Sequence, residues 1–323
     1  MVDPRSIEEQ ARRSDPAGSP ALSPQDDKLP GAANPLGGSL PAQTVDALRL
    51  FDGRVILLPA VMGVLNVTPD SFFDGGRYLD PEPAAAHAFE MARAGASIID
   101  IGAQSTRPSG AREVTIEVEL ARLLPVLQRL SGKLTVPLSI DTRKPEVARV
   151  ALDWGVAIIN DTSALSNAAM AALAAERSCT VVLMHMKGGS EDHMRFASYQ
   201  NVVDEVLTFL AERAAQAERA GIDRARIILD PGLGFAKTAP HNLAILANLH
   251  RFCRLGYPVL IGASRKNFIS RIVGRVDSDV LLGTNAVNAM AVAEGAAIVR
   301  VHDPTPAAVT VRMAAAIAAA RRA

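Results

Sequence analysis

The chain has 323 residues and carries 34 Lys and Arg against 34 Asp and Glu, so its formal net charge is zero. That balance argues against nucleic acid as a partner, because binding a phosphate backbone needs a basic surplus. With 49% hydrophobic and 21% charged residues it is not a chain disordered throughout, and at 4% aromatic its core must be aliphatic.

Residues 1–49 hold seven of the 20 prolines, with Gly, Ser, Ala and Asp between them and no apolar period. Such a stretch buries too little surface to offset its ordering entropy, and a disordered extension is expected there. Residues 50–323 are then a single domain. MVDPRSIEEQARR has no apolar secretory core, and no apolar stretch approaches the roughly 18 residues of a membrane span, so a cytoplasmic setting with no membrane partner is expected. Cys179 and Cys253 read as buried small hydrophobes rather than a disulfide.

From about residue 55, short β-branched runs alternate with Ala-rich segments of helical period. The runs are AVMGVLNV, ASIIDIG, VPLSID, VAIIND, CTVVLMH, ARIILD, YPVLIG and AAIVRVH. Helices are expected near 82–95, 114–131, 144–154, 167–177, 200–220, 240–254, 265–294 with a break near Gly274, and 304–321. Continuous hydrophobicity in the runs indicates strands buried on both faces, hence a parallel sheet. Eight such units fit an α/β fold, a single (β/α)8 TIM barrel, with a doubly wound open sheet as the alternative.

Each run ends in polar residues, which a barrel gathers on one face: Asn66, Gln104-Ser105-Thr106, Asp141, Asn160-Asp161, His185, Asp230, Ser264-Arg265-Lys266, and Arg300 with His302. Any one could be a helix cap; eight together point to an enzyme. Asp141, Asp230 and Asn160 suit a flat heterocycle with a guanidine-like edge of N–H donors, and Lys266 adds a donor for a ring carbonyl or nitrogen. Asn66, Arg300 and His302 come from the first and last strands, neighbours in a closed barrel, and read as a phosphate and Mg²⁺ site. DPGLGFAKT lacks the GxxxxGK[ST] spacing, and no GxGxxG, GxSxG or HxxxH pattern appears. Two long loops, 66–80 and 103–114, have the composition of segments that order substrate, with Phe72, Arg107 and Pro108 to close on it.

The blocks MGVLNVTPDSFFDGG, DIGAQSTRPSG, SIDTRKPEVA, IINDTSAL, VVLMHMKG, ILDPGLGFAKT, LIGASRKNFI and VRVHD occur in that order over about 55–320. Together they resemble the dihydropteroate synthases, folate-pathway enzymes built on a pterin-binding barrel. The resemblance implies condensation of p-aminobenzoate with 6-hydroxymethyl-7,8-dihydropterin pyrophosphate. It implies pterin binding by Asp141, Asn160, Met184, Asp230 and Lys266, and pyrophosphate binding by Asn66, Arg300 and His302. Mg²⁺ would sit at Asn66. It assigns p-aminobenzoate to Phe72, Thr106, Arg107, Pro108, Lys266 and Asn267, where sulfonamides would compete. Asp141, Lys266 and Arg300 become the catalytic residues, and a homodimer is the expected assembly. Two departures stand out: Gln104 where many members have Glu, and Asn267 where many have Ser. A related corrinoid-linked methyltransferase would not need STRP or SRK, and a paralogue that only binds ligand would be expected to have lost loop or pyrophosphate residues.

Overall fold

A computed structural model describes residues 46–68, 81–104, 114–189 and 192–321. The Pro-rich extension up to residue 45, and the loop residues Phe72, Thr106, Arg107 and Pro108, lie outside the described residues.

Eight parallel strands form the centre: β3 (Ala60–Asn66), β4 (Ile98–Gly102), β5 (Leu138–Asp141), β6 (Ile158–Asp161), β7 (Thr180–Met184), β8 (Ile227–Asp230), β9 (Leu260–Ile261) and β10 (Ile298–Val301). Each coincides with one of the eight apolar runs. Their order is β8-β7-β6-β5-β4-β3-β10-β9, so the first and last barrel strands pair, in register Ile298↔Ala60 to Val301↔Gly63. The ring closes between β8 and β9 through one bridge, Leu229↔Val259, where Leu229 N–H donates to Pro258 O at 2.9 Å. This is a (β/α)8 TIM barrel.

Helices α1 (Pro81–Arg93), α2 (Ile116–Leu130), α3 (Pro145–Asp153), α4 (Ala168–Glu176), α5 (Val202–Arg219) and α10 (Pro304–Ala320) lie where helical period places them. The 240–254 segment, expected as one helix, divides at Asn248 into α6 (Ala239–Ala247) and α7 (Leu249–Cys253). The break near Gly274 is present: Gly274 ends α8 (Asn267–Val273) at φ +96°, ahead of α9 (Asp277–Ala293). Only glycine adopts that backbone without strain.

One element was not anticipated. Strands β1 (Ala47–Arg49) and β2 (Val55–Leu57) form an antiparallel hairpin, which starts ahead of the boundary drawn at residue 50. Its Leu48, Leu50 and Ile56 join a buried cluster with Met62, Ile98, Ile158, Val182, Ile228, Leu260 and Ile298. Those seven residues come from seven barrel strands and make the apolar floor of the interior, with the hairpin packed against it. Ile99, Ile101, Ile140, Ile159, Val181, Leu183 and Leu229 belong instead to the larger cluster between strands and helices.

Candidate active site

Strand side chains alternate faces, so the floor fixes which residues look into the barrel further along. Two residues beyond Ile98 is Asp100; beyond Ile158, Asn160; beyond Val182, Met184; beyond Ile228, Asp230; and beyond Ile298, Arg300. Ser139 pairs with Asp100 in register, and Asp141 with Asn160. A polar layer thus rests on an apolar one. Gly102 continues β4 without a side chain; a Cβ there would lie 3.5 Å from Asp141 Cβ and 3.8 Å from Asn66 Oδ1, so the bare backbone keeps those two groups together.

Arg300 holds the layer together. Its Nε donates to Asp100 Oδ2 at 2.7 Å and its Nη2 to Asp141 Oδ2 at 2.9 Å. Asp100 also accepts from Ser139 Oγ at 2.6 Å and Asn160 Nδ2 at 3.0 Å. Asp100 does not stand out in the sequence because it sits inside an apolar run. The signal was its parity with Ile98, the same parity that links Asn160 to Ile158 and Arg300 to Ile298.

The other side of the mouth is built by the DPGLGFAK loop. Asp230 is buried, and its Oδ1 accepts from Gly232 N–H at 2.7 Å, leaving Oδ2 without a partner among the described residues. Gly234, at φ +79°, lies under Lys266: a Cβ there would fall 2.6 Å from Lys266 Cδ. Lys266 donates to Leu233 O, and its Nζ sits 4.0 Å above the centre of the Phe235 ring. Lys237, which a phosphate-loop reading would aim at a ligand, is buried and spent on the protein. It meets His185 Nδ1 at 2.9 Å and donates to Phe235 O at 3.0 Å. His193, on the 3₁₀ turn His193–Phe196, accepts the Ala236 N–H at Nδ1 over 2.9 Å.

Each residue of Ser264-Arg265-Lys266 ties to a different neighbour. Ser264 Oγ accepts from His302 N–H at 3.2 Å and lies 3.1 Å from His302 Nδ1. Arg265 donates Nε and Nη2 to the two oxygens of Asp303, at 2.9 and 3.0 Å. Its left-handed backbone, φ +54°, lets Lys266 turn back toward the mouth. Beside Gln104, Lys144 Nζ donates to Gln104 Oε1 at 3.0 Å and to the buried Glu119 at 2.6 Å. Thr142 Oγ1 donates to the same Glu119 at 2.6 Å. The Gln104 amide is therefore engaged in a brace at the foot of the second loop. Asp161 accepts from Ser163 and Leu165 and closes the turn after β6. Asn267 opens α8 and is exposed.

Enclosure shifts the titrating groups. Burial pushes the Asp141 carboxyl up to about 7 against the pull of Arg300. Burial brings Lys266 down to about 7, opposed by Asp230. His302 falls to about 4 through burial and the neighbouring Arg300, so at neutral pH it is a hydrogen-bonding group rather than the cation that a phosphate grip suggested. Among the described residues no group of three or more His, Cys, Asp or Glu side chains could hold a metal, which leaves the Asn66 amide oxygen as the ligand the sequence pointed to.

The fold and this site define a barrel enzyme whose mouth offers carboxylate and amide acceptors on one side and a guanidinium with an imidazole on the other. The family model described as "Pterin binding enzyme" matches residues 62–302. The chain belongs to this family. It is 44% identical over 245 residues to the dihydropteroate synthase of Escherichia coli K12, covering 76% of this chain and 86% of the relative. Among solved structures it is similar to Xanthomonas albilineans dihydropteroate synthase with 4-aminobenzoic acid: TM-score 0.78, 43% identity, 84% of this chain and 98% of that one. It is also similar to the Thermus thermophilus enzyme in complex with 6HMPPP: TM-score 0.72, 39% identity, 84% and 99%.

Proposed function

We propose that this chain condenses 6-hydroxymethyl-7,8-dihydropterin pyrophosphate with p-aminobenzoate, giving 7,8-dihydropteroate and pyrophosphate in folate biosynthesis. The observation that carries this reading is one barrel mouth in which Asp230 and Asn160 stand with Lys266, while Arg300 on β10 and His302 just past its end face the same opening. The first set matches the aminopyrimidine edge of a pterin; the second matches a diphosphate. The ligands of the two solved relatives are the two substrates of this reaction.

In the mechanism, Asp230 Oδ2 accepts from the guanidine-like edge of the pterin, with Asn160, Met184 and Lys266 completing the pocket. Arg300, His302 and Asn66 bind the pyrophosphate. Asn66 would hold Mg²⁺ through its amide oxygen, which the missing side chain of Gly102 leaves room beside, with substrate phosphates as the other ligands; the ion would supply charge neutralisation to the leaving group. The C–O bond to pyrophosphate breaks ahead of attack, and the Asp141 carboxylate stabilises positive charge developing on the ring and methylene. The amine of p-aminobenzoate is neutral at pH 7, attacks the methylene carbon and then loses a proton to solvent. Phe72, Thr106, Arg107 and Pro108, with Asn267, form its pocket, and sulfonamides compete there.

The working assembly is a homodimer. What supports it is an apolar stripe on the outer wall, where Val309, Met313 and Ile317 of α10 and Leu282 and Met290 of α9 are exposed. The reaction belongs to the cytoplasm; no helix among the described residues is long and apolar enough to cross a membrane.

Purified protein with Mg²⁺ and both substrates is expected to release pyrophosphate and form dihydropteroate. Pterin binding without product overturns the reading. Asp230→Asn is expected to weaken pterin binding about 10- to 100-fold, the loss of hydrogen bonds to a charged acceptor. Arg107→Ala should instead raise the KM for p-aminobenzoate and leave pterin binding nearly intact. Identical behaviour of the two variants contradicts this division of the site.

A further inference from the structure

Asp100 is fully buried on β4 and joins three other strands, through Ser139 on β5, Asn160 on β6 and Arg300 on β10. A carboxylate only accepts, so each partner must turn a donor toward it. From Arg300 that donor is Nε, at 2.7 Å, which directs the far end of the guanidinium toward Asp141 and the mouth. From Asn160 it is Nδ2, at 3.0 Å, so Oδ1 is the end turned away from Asp100. Ser139 Oγ occupies the other carboxylate oxygen at 2.6 Å and fixes the plane of the group.

We propose that Asp100 is a positioning residue for both halves of the ligand: it aims Arg300 at the pyrophosphate and obliges Asn160 to present its oxygen, not its NH₂, to the pterin. This rests on the proposed function. Asp100 lies beneath the groups assigned to ligand and acts through them. An Asn at this position offers both a donor and an acceptor, so the Asn160 amide can turn over and set an NH₂ against the N–H donors of the heterocycle. Arg300 also loses one of its two carboxylates and settles on Asp141, where it masks the charge the reaction needs.

The test uses the full chain and measures inorganic pyrophosphate (with Mg²⁺) and 6-hydroxymethylpterin separately by calorimetry, alongside a thermal melt. Asp100→Asn is expected to weaken each by about tenfold, the loss of charge-assisted hydrogen bonds, while KM for p-aminobenzoate changes by less than about twofold. The coupling is specific. In an Arg300→Lys background, which lacks Nε, Asp100→Asn should no longer affect pyrophosphate but should still weaken the pterin. In an Asn160→Ala background the pattern reverses. A purely structural carboxylate lowers the melt, shifts all ligands together and adds independently to both backgrounds. That result, or a folded Asp100→Asn with both affinities within about twofold of wild type, overturns the proposal. If Asp100→Asn does not fold, Ser139→Ala replaces it, with a smaller loss and the same coupling pattern expected; unchanged affinities overturn the proposal equally. A wild-type chain that binds neither probe overturns the reading of the site, and the positioning role with it.

Discussion

Lys266 and Asp141 illustrate how enclosure sets the working range of single residues. Both are held near 7, the lysine lowered and the carboxyl raised, chiefly because burial penalises either charge. The proposed mechanism uses the Lys266 ammonium and the Asp141 carboxylate. kcat/KM, which reports the free enzyme, is therefore expected to fall below about pH 7 as Asp141 gains its proton and above it as Lys266 loses its own. Lys266→Arg, which stays charged, should abolish the alkaline limb and leave the acid limb in place; initial rates between about pH 5.5 and 9 check this. An alkaline limb that survives the substitution assigns it to another group. At this scale the sequence revealed the strand-end set but not its wiring. Asp230, Asn160 and Arg300 stood out as polar ends of apolar runs, whereas Asp100 was hidden within one. Lys237, in a stretch whose spacing already failed the phosphate-loop pattern, is occupied by His185 and Phe235. Contacts between residues as far apart as Asp100 and Arg300 are set by closure of the ring and have no local spacing to betray them.

Among the elements, the eight barrel strands were legible because each is a β-branched run between longer helical periods. The β1–β2 hairpin was not: two three-residue strands carry too little pattern to stand out from the turn-rich segment beside them. Its packing has consequences nonetheless. Ile56 is buried against the barrel floor while its neighbours Val55 and Leu57 face outward. Ile56→Ala is expected to cost about 2–4 kcal/mol of stability, by lost burial and the cavity left behind. Denaturant unfolding measures this. Pyrophosphate affinity should be unchanged, since the floor separates the hairpin from the polar layer. A loss of binding at unchanged stability contradicts that separation.

For the whole molecule, neutral charge conceals local polarity: Arg300 and Lys266 are set against Asp100, Asp141 and Asp230 around one mouth. The hairpin completes the floor from residue 47 onward, so we propose that removing residues 1–45 leaves the melting temperature and kcat/KM unchanged; a drop in either assigns that segment a role in the fold or the reaction. Closure of the ring has a further consequence. Elsewhere adjacent barrel strands pair over two to five residues, but β8 and β9 meet through the single Leu229↔Val259 bridge. Asp230 stands on one side of that seam and Lys266 beyond the other, and under the proposed function a bound pterin would grip both. Ligand then acts as a clasp across the weakest joint of the wall. Hydrogen exchange at the Leu229 amide should slow more on pterin binding than exchange at Ile101, deep in a continuous ladder; equal protection would mean that the seam is already fastened without the ligand.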